Sequence, residues 1–189
     1  MDKMELRHNI RSRIFTLPQS QLRAESKLAS QNLIGTEEYK HASILMIFLS
    51  LPHETDTTAV ILDAWQREKT VVVPKVSWQQ RHMIPVEITS LETGFTTERG
   101  GFKNPTTGVP IPVEEIDLVV TPGLAFDKTG NRLGRGGSFY DNFFALELLS
   151  ATKCGFAFRQ QIVESVPVVE HDQPVDMIVT DEDVIRCKR

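Results

Sequence analysis

The chain has 189 residues, of which 40% are apolar and 24% charged, with a net charge of −4. That length suits one domain spanning residues 1–189, with a core large enough to need no staples. The acidic balance argues against a nucleic-acid binder, which carries a basic excess, although it does not exclude a local basic pocket.

Two cysteines, Cys154 and Cys187, form no CxxC pair and have no histidine cluster beside them. Zinc and a disulfide framework are therefore poor readings, and a reducing compartment fits best. The N-terminal MDKMELRHNIRSR lacks the apolar stretch of a signal peptide, and no apolar run is long enough for a membrane span. A cytoplasmic protein without a membrane or nucleic-acid partner is the expectation.

Residues 2–15 read as a helix, with Met4, Ile10 and Ile14 on its apolar side and Lys3, Arg7, Arg11 and Arg13 as cations. Leu17-Pro18 breaks it, and Ser20 offers a hydroxyl to cap a second helix through residue 33. Residues 43–51, SILMIFLSL, read as a strand buried on both faces. A loop at 53–57 follows. Asp56 or Thr57 then caps a helix that buries Val60, Ile61, Ala64 and Trp65. Residues 70–74 and 83–88 read as strands, the second at an edge because Pro85 has no N–H to give.

Residues 93–113 are rich in Gly, Pro and Thr and read as a long loop, a length often tied to function. Residues 116–121 form a strand and 122–141 a loop. A helix over 137–149 follows, then strands at 154–158 and 177–180. Strands alternating with helices imply an α/β sheet, largely parallel, with ligands held beyond the carboxyl ends of the strands.

The 122–141 loop carries the chemistry. Gly134, Gly136 and Gly137 let the backbone turn and approach a ligand closely. Backbone N–H groups in such a turn, leading into a helix, bind anions. Arg132 and Arg135 add fixed charge, and Asp141 is a natural magnesium ligand beside phosphates. The run matches neither GxxxxGK[ST] nor the dinucleotide glycine spacing. The glycines alone fit a plain turn equally well; the arginines, Phe139–Tyr140 and Asp141 favour a phosphate site.

The run PGLAFDKTGNRLGRGGSFYD at 122–141 resembles the PGLAFDxxGxRLGxGxGYYD signature of the 5-formyltetrahydrofolate cyclo-ligase family (5,10-methenyltetrahydrofolate synthetase). Three weaker matches follow the same order. Lys3 to Arg7 resembles the family's KxxLR, Glu54 to Thr57 its ExxT, and His171 to Asp176 its HDxPxD. The resemblance spans nearly the whole chain.

It implies a three-layer α/β sandwich with a mostly parallel central sheet, NagB/RpiA/CoA transferase-like. It implies an ATP- and Mg2+-dependent ligase that closes 5-formyltetrahydrofolate, with or without a polyglutamate tail, to 5,10-methenyltetrahydrofolate. ADP and phosphate are released, and a phosphorylated formyl group is the intermediate. A monomer is the expectation.

Carried over by position, Lys3, Arg7, Arg132, Leu133, Gly134, Arg135, Gly136, Gly137, Ser138, Phe139 and Tyr140 match nucleotide-binding residues. Glu54, with Arg135, Gly136, Gly137, Ser138 and Phe139, matches the folate side. Arg135 and Tyr140 match catalytic positions, and Asp141 and Asp172 match metal positions. Leu49 and Leu51 fit an apolar wall or the core, and His171 reads as structural.

Three positions depart from the pattern. Ser138 replaces a glycine, Phe139 replaces the first tyrosine, and Ile111 replaces an acid in Gly108-Val109-Pro110-Ile111-Pro112. They keep a second reading open, a low-turnover folate- and nucleotide-binding paralogue acting as a buffer. A third reading is another ATP-using enzyme with the same loop.

Overall fold

A computed structural model describes residues 1–188. Helix α1 is Lys3–Phe15, and the Asp2 carboxylate caps it by accepting the N–H groups of Met4 and Glu5. Its buried stripe is Leu6, Ile10 and Ile14, one residue every fourth position. Met4, expected on that stripe, is exposed, because it precedes Leu6 by only two residues.

Helix α2, Gln19–Ile34, starts from Pro18, so Ser20 lies inside the helix and does not cap it. The Pro18 carbonyl already receives the N–H groups of Gln21 and Leu22. A short helix α3, Glu37–His41, follows, capped by the Thr36 hydroxyl, and has no counterpart in the sequence reading.

Strand β1 is Ile44–Ile47, less than half the length expected. Beyond it the backbone is satisfied by side chains. The Phe48 carbonyl accepts the Thr57 hydroxyl at 2.8 Å, and the Leu51 N–H donates to Glu54 Oε2 at 2.7 Å. Helix α4 is Thr58–Gln66. Thr57 occupies the cap position, but with its hydroxyl turned to Phe48 it is the Asp56 carboxylate that accepts the Thr58 N–H.

Strands β2, Thr70–Ser77, and β3, His82–Glu87, form an antiparallel pair with Pro74 opposite Pro85. The 93–113 segment is not plain loop: β4, Phe95–Thr97, and β5, Lys103–Pro105, make a hairpin within it. Strand β6 is Leu118–Thr121. The expected 122–141 loop contains β7, Ala125–Asp127, and β8, Arg132–Leu133.

Helix α5, Phe139–Phe144, is much shorter than the 137–149 expected. Left-handed Ser138 delays its start. At its end, Leu146 and Leu149 donate to carbonyls three residues back, so the chain closes in tight turns. Strands β9, Thr152–Phe156, β10, Ile162–Val163, β11, Met177–Val179, and β12, Val184–Arg186, complete the chain.

Seven strands form the main sheet in the order β12-β11-β9-β6-β1-β2-β3. The pairs from β11 through β2 are parallel, and only the two edge strands run antiparallel. The order reverses at β1, where the chain moves first to β2 and later returns to β6; such switch points open a crevice at the strands' carboxyl ends.

One face is covered by α2, α3 and α4 through Leu33, Tyr39, Val60 and Ile61. The other is covered by Phe143 and Phe144 of α5 and Phe126 of β7. This second outer layer is thus one short helix plus a three-stranded sheet, β10-β7-β8. Helix α1 packs Leu6, Ile10 and Ile14 on Leu124, Leu133 and Phe158. That contact carries its cations to the glycine loop.

Candidate active site

The carboxyl ends of β1, β2 and β6 open into a cleft of about 700 Å³. Leu49 and Leu51 enter it after β1, Val76 and Trp78 from β2 and beyond, and Pro122 and Gly123 after β6. The glycine loop forms one wall, α1 contributes Lys3 and Arg7, and residues 169–172 close another side. The cleft is lined by every residue singled out from the sequence as a ligand contact, from Lys3 through Asp172. Leu133 is fully buried against the α1 contact, so it anchors the loop's base.

Local chemistry fixes the loop's path. Asp127 Oδ1 accepts the N–H groups of Thr129 and Asn131 and the Thr129 hydroxyl. Its Oδ2 accepts from the Asn131 amide and the Val166 N–H. Burial opposes ionisation of this carboxyl, yet those five donors hold it below the ordinary carboxylate range. Gly130 turns with a φ of 94°, and a Cβ there would sit 2.3 Å from the Val175 carbonyl oxygen.

Gly136 also has positive φ, 103°. Ser138, the residue in place of the family's glycine, has φ 57° and ψ 14°, in the left-handed region that costs side-chain-bearing residues energy.

Charges line the loop in pairs. Lys3 Nζ donates to Asp172 Oδ2. Burial raises the Asp172 carboxyl, but the Lys3 ammonium and the Val169 N–H more than offset it and leave it lowered. Arg7 Nε donates to the Gly134 carbonyl at 3.0 Å, which ties α1 to the loop. Arg132 is almost fully buried. Its Nη2 lies 3.2 Å from Asp141 Oδ1, its guanidinium stands 5.4 Å from the Tyr140 ring centre, and among the described residues its Nε has no hydrogen-bond partner. Burial pushes the Tyr140 hydroxyl well above its ordinary pKa, so it is a proton-bearing donor at neutral pH. Across the cleft, Arg135 reaches Glu54. That pair also borders a second, smaller cavity of about 240 Å³.

Asp141 and Asp172 line the same cleft, and the N–H of Gln173, next to Asp172, donates to Asp141 Oδ1 at 3.1 Å and ties the two segments together. Among the described residues no three His, Cys, Asp or Glu side chains converge as a metal cage. Two carboxylates on a cleft wall fit magnesium, which keeps several waters and takes phosphate oxygens instead of an all-protein shell. Asp141 Oδ1 accepts two hydrogen bonds, one from Arg132 and one from the Gln173 N–H.

Several lining residues were not picked out from the sequence. Trp78, Arg99, Phe102 and Val169 face the cleft, and so does His171, which was read as structural. Leu49 and Leu51 both line the cleft, and Leu49 also packs against the core. Trp78 stands edge-on to Phe102 and Phe139, at 5.4 and 5.3 Å between ring centres. Only the length and composition of 93–113 hinted at this wall, since nothing in the local pattern announces which ring will meet which. No helix among the described residues is long and apolar enough to cross a membrane.

Comparison with known proteins places this geometry. The model of the 5-formyltetrahydrofolate cyclo-ligase family matches residues 1–181. The mouse 5-formyltetrahydrofolate cyclo-ligase is 30% identical over 95% of this chain and 94% of its own length. The enzyme of that name from Haemophilus influenzae is 29% identical over 94% of this chain and 97% of its own. The NMR structure of Aquifex aeolicus 5,10-methenyltetrahydrofolate synthetase superposes with a TM-score of 0.85 at 28% identity, covering 100% of this chain and 94% of that one. A match of the family model over nearly the whole chain, with the motif loop lining the cleft at the switch point, shows that the chain is an enzyme belonging to the 5-formyltetrahydrofolate cyclo-ligase family.

Proposed function

We propose that this chain uses ATP and magnesium to close 5-formyltetrahydrofolate to 5,10-methenyltetrahydrofolate, releasing ADP and phosphate. The observation that carries the reading is a single cleft with phosphate-type donors on one side and Glu54 on the other, joined by Arg135. A formyl oxygen must meet a γ-phosphate, so one loop has to serve both ligands.

Lys3, Arg7, Arg132 and the backbone N–H groups of residues 134–138 receive the phosphates. Asp141 and Asp172 would hold the magnesium, which would supply positive charge beside the phosphates. Glu54 accepts paired N–H donors of the pterin, and Leu49 and Leu51 cover the ring. The formyl oxygen attacks the γ-phosphorus and ADP leaves. The N10 amine then attacks the activated formyl carbon, its proton is lost, and phosphate departs with the C–O bond electrons. Arg135 neutralises charge on the transferred group, and the Tyr140 hydroxyl donates to it. The residues supply position and charge, as transfer of a phosphoryl group requires.

The test is purified protein with 5-formyltetrahydrofolate and Mg-ATP, following methenyl absorbance and ADP together. Equal amounts of both products support the proposal. Folate binding without methenyl product overturns it in favour of a folate buffer. ADP without methenyl product points to a different ATP-using reaction.

A further inference from the structure

Trp78 is a large ring on the cleft wall, yet it is 52% exposed and stands at the turn after β2. Its neighbours explain how it keeps one orientation. The indole N–H donates to Glu98 Oε2. The other oxygen, Oε1, accepts from the Asn104 amide at 2.8 Å. Asn104 is buried and grips one residue of β2 from both sides: its Oδ1 accepts the Val76 N–H and its Nδ2 donates to the Val76 carbonyl, each at 2.9 Å. Val76 and Trp78 are two residues apart, so Val76, Asn104, Glu98 and Trp78 make a closed circuit.

Both oxygens of Glu98 are taken, and these two donors hold its carboxyl below the ordinary range. The same circuit pins the β4–β5 hairpin, which carries Phe102, to the end of β2. A Cβ on Gly101 would lie 3.9 Å from Leu51 Cδ2, and the Leu51 N–H is bound to Glu54, so the hairpin rests beside the Glu54 part of the cleft.

We infer that Glu98 and Asn104 are positioning residues that hold Trp78, braced edge-on by Phe102 and Phe139, as an aromatic wall for the ring system of the folate substrate. The inference rests on the folate reading above. Neither residue touches the substrate. All three rings line the cleft, Trp78 stands edge-on to each of the other two, and an exposed indole on that wall is a surface on which a flat heteroaromatic ring can stack. Fixing that surface in advance spares the substrate the cost of ordering it.

The experiment uses the full chain with Trp65→Phe, so that Trp78 is the one indole left of two. Glu98→Ala is expected to raise KM for 5-formyltetrahydrofolate about tenfold, with kcat and the KM for ATP within about twofold. In the ligand-free protein, Trp78 emission shifts to the red and its anisotropy falls. Glu98→Gln, which keeps one acceptor, recovers part of both. In a separate Trp78→Phe background with no indole N–H to hold, Glu98→Ala has no further effect on the folate KM, even though each change alone raises it.

An unchanged folate KM with unchanged emission overturns the inference, and so does an ATP KM that moves instead. A full Glu98→Ala effect persisting without the Trp78 N–H also overturns it, because Glu98 then acts by another route. Failure of the folate reading is seen separately, as no methenyl product from the unsubstituted protein.

Discussion

Arg135 sets Nε at 3.2 Å and Nη2 at 2.8 Å from a single oxygen of Glu54, Oε1. Glu54 is nearly buried and its second oxygen is bound to the Leu51 N–H, whereas Arg135 is half exposed. The pair joins the expected folate carboxylate to an arginine of the phosphate loop. A half-exposed ion pair stabilises a fold by less than about 1 kcal/mol. An arginine placed at a developing phosphoryl charge contributes on the order of a hundredfold or more in rate. Arg135→Ala is therefore expected to leave denaturant unfolding within about 1 kcal/mol of wild type. Its turnover falls by at least about a hundredfold. Glu54→Gln keeps the acceptor for Leu51 but loses the charge, so it raises the folate KM. Full activity of Arg135→Ala removes the residue from the site.

Asp141 Oδ1 accepts from Arg132 and from the Gln173 N–H. Asp141→Asn retains that oxygen, so the fold should survive. It removes the charge a magnesium ion needs. Turnover is expected to fall at least about tenfold and the magnesium needed for half-maximal rate to rise. A magnesium titration that superposes on wild type contradicts the role.

Ser138 holds φ 57° just before α5. The left-handed region costs an ordinary residue about 1–2 kcal/mol, and glycine returns about 0.5–1 kcal/mol of that as chain entropy. Ser138→Gly is thus expected to stabilise the protein by no more than about 1 kcal/mol. Ser138→Val, branched at Cβ, is expected to destabilise it by about 2 kcal/mol. Calorimetric melting of the two variants checks the sign. Equal melting temperatures would falsify the strained backbone at this position.

These contrasts show what was legible in the chain. The strands at residues 44–47, 70–77 and 118–121 announce themselves because continuous apolar runs fit a sheet covered on both faces. The glycine loop was legible because its residue types are demanded by ligand chemistry at short spacing. Strands of two or three residues, such as β7, β8 and β10, carry too few side chains to show a period. They exist because a distant partner pairs with them. The same holds for Asn104 and Glu98, whose partners Val76 and Trp78 lie 28 and 20 residues away. The Ser20 cap failed because Pro18 starts the helix two residues earlier.

Asp127 gives a pH signature. It is nearly fully buried, and its hydrogen-bonding neighbours keep its pKa below the ordinary 3.8 despite that burial. A carboxyl lowered in the folded state contributes stability that is fully present above the unfolded value. That contribution is lost as pH falls through the folded one. Unfolding free energy measured from pH 7 downward should therefore hold this contribution until about pH 4 and lose it below. Asp127→Asn, which cannot serve all five donors, is expected to cost about 3 kcal/mol at neutral pH. The gap to wild type narrows in acid. A gap that does not depend on pH removes the ionised carboxylate from the account.

Phe126 ties the loop to the sheet through an unusual lack of space. It is fully buried, and it lies between two glycines. A Cβ on Gly123 would lie 2.5 Å from Phe126 Cζ, and one on Gly155 would lie 2.5 Å from Phe126 Cε1. Gly155 sits in β9 opposite Thr121, the last residue of β6. The ring therefore fills the groove directly behind the Pro122–Gly123 edge of the cleft. A methyl group at Gly155 has nowhere to go except by pushing Phe126, and with it β7, toward the loop. Gly155→Ala is expected to destabilise the protein by about 1–3 kcal/mol, the usual range for overpacking. Because β7 carries the loop's first anchor, turnover should fall by more than the unfolded fraction explains. Gly155→Ala combined with Phe126→Leu relieves the contact and recovers part of the stability. If the double variant is as unstable as the sum of the two single changes, the contact is not what fixes the ring.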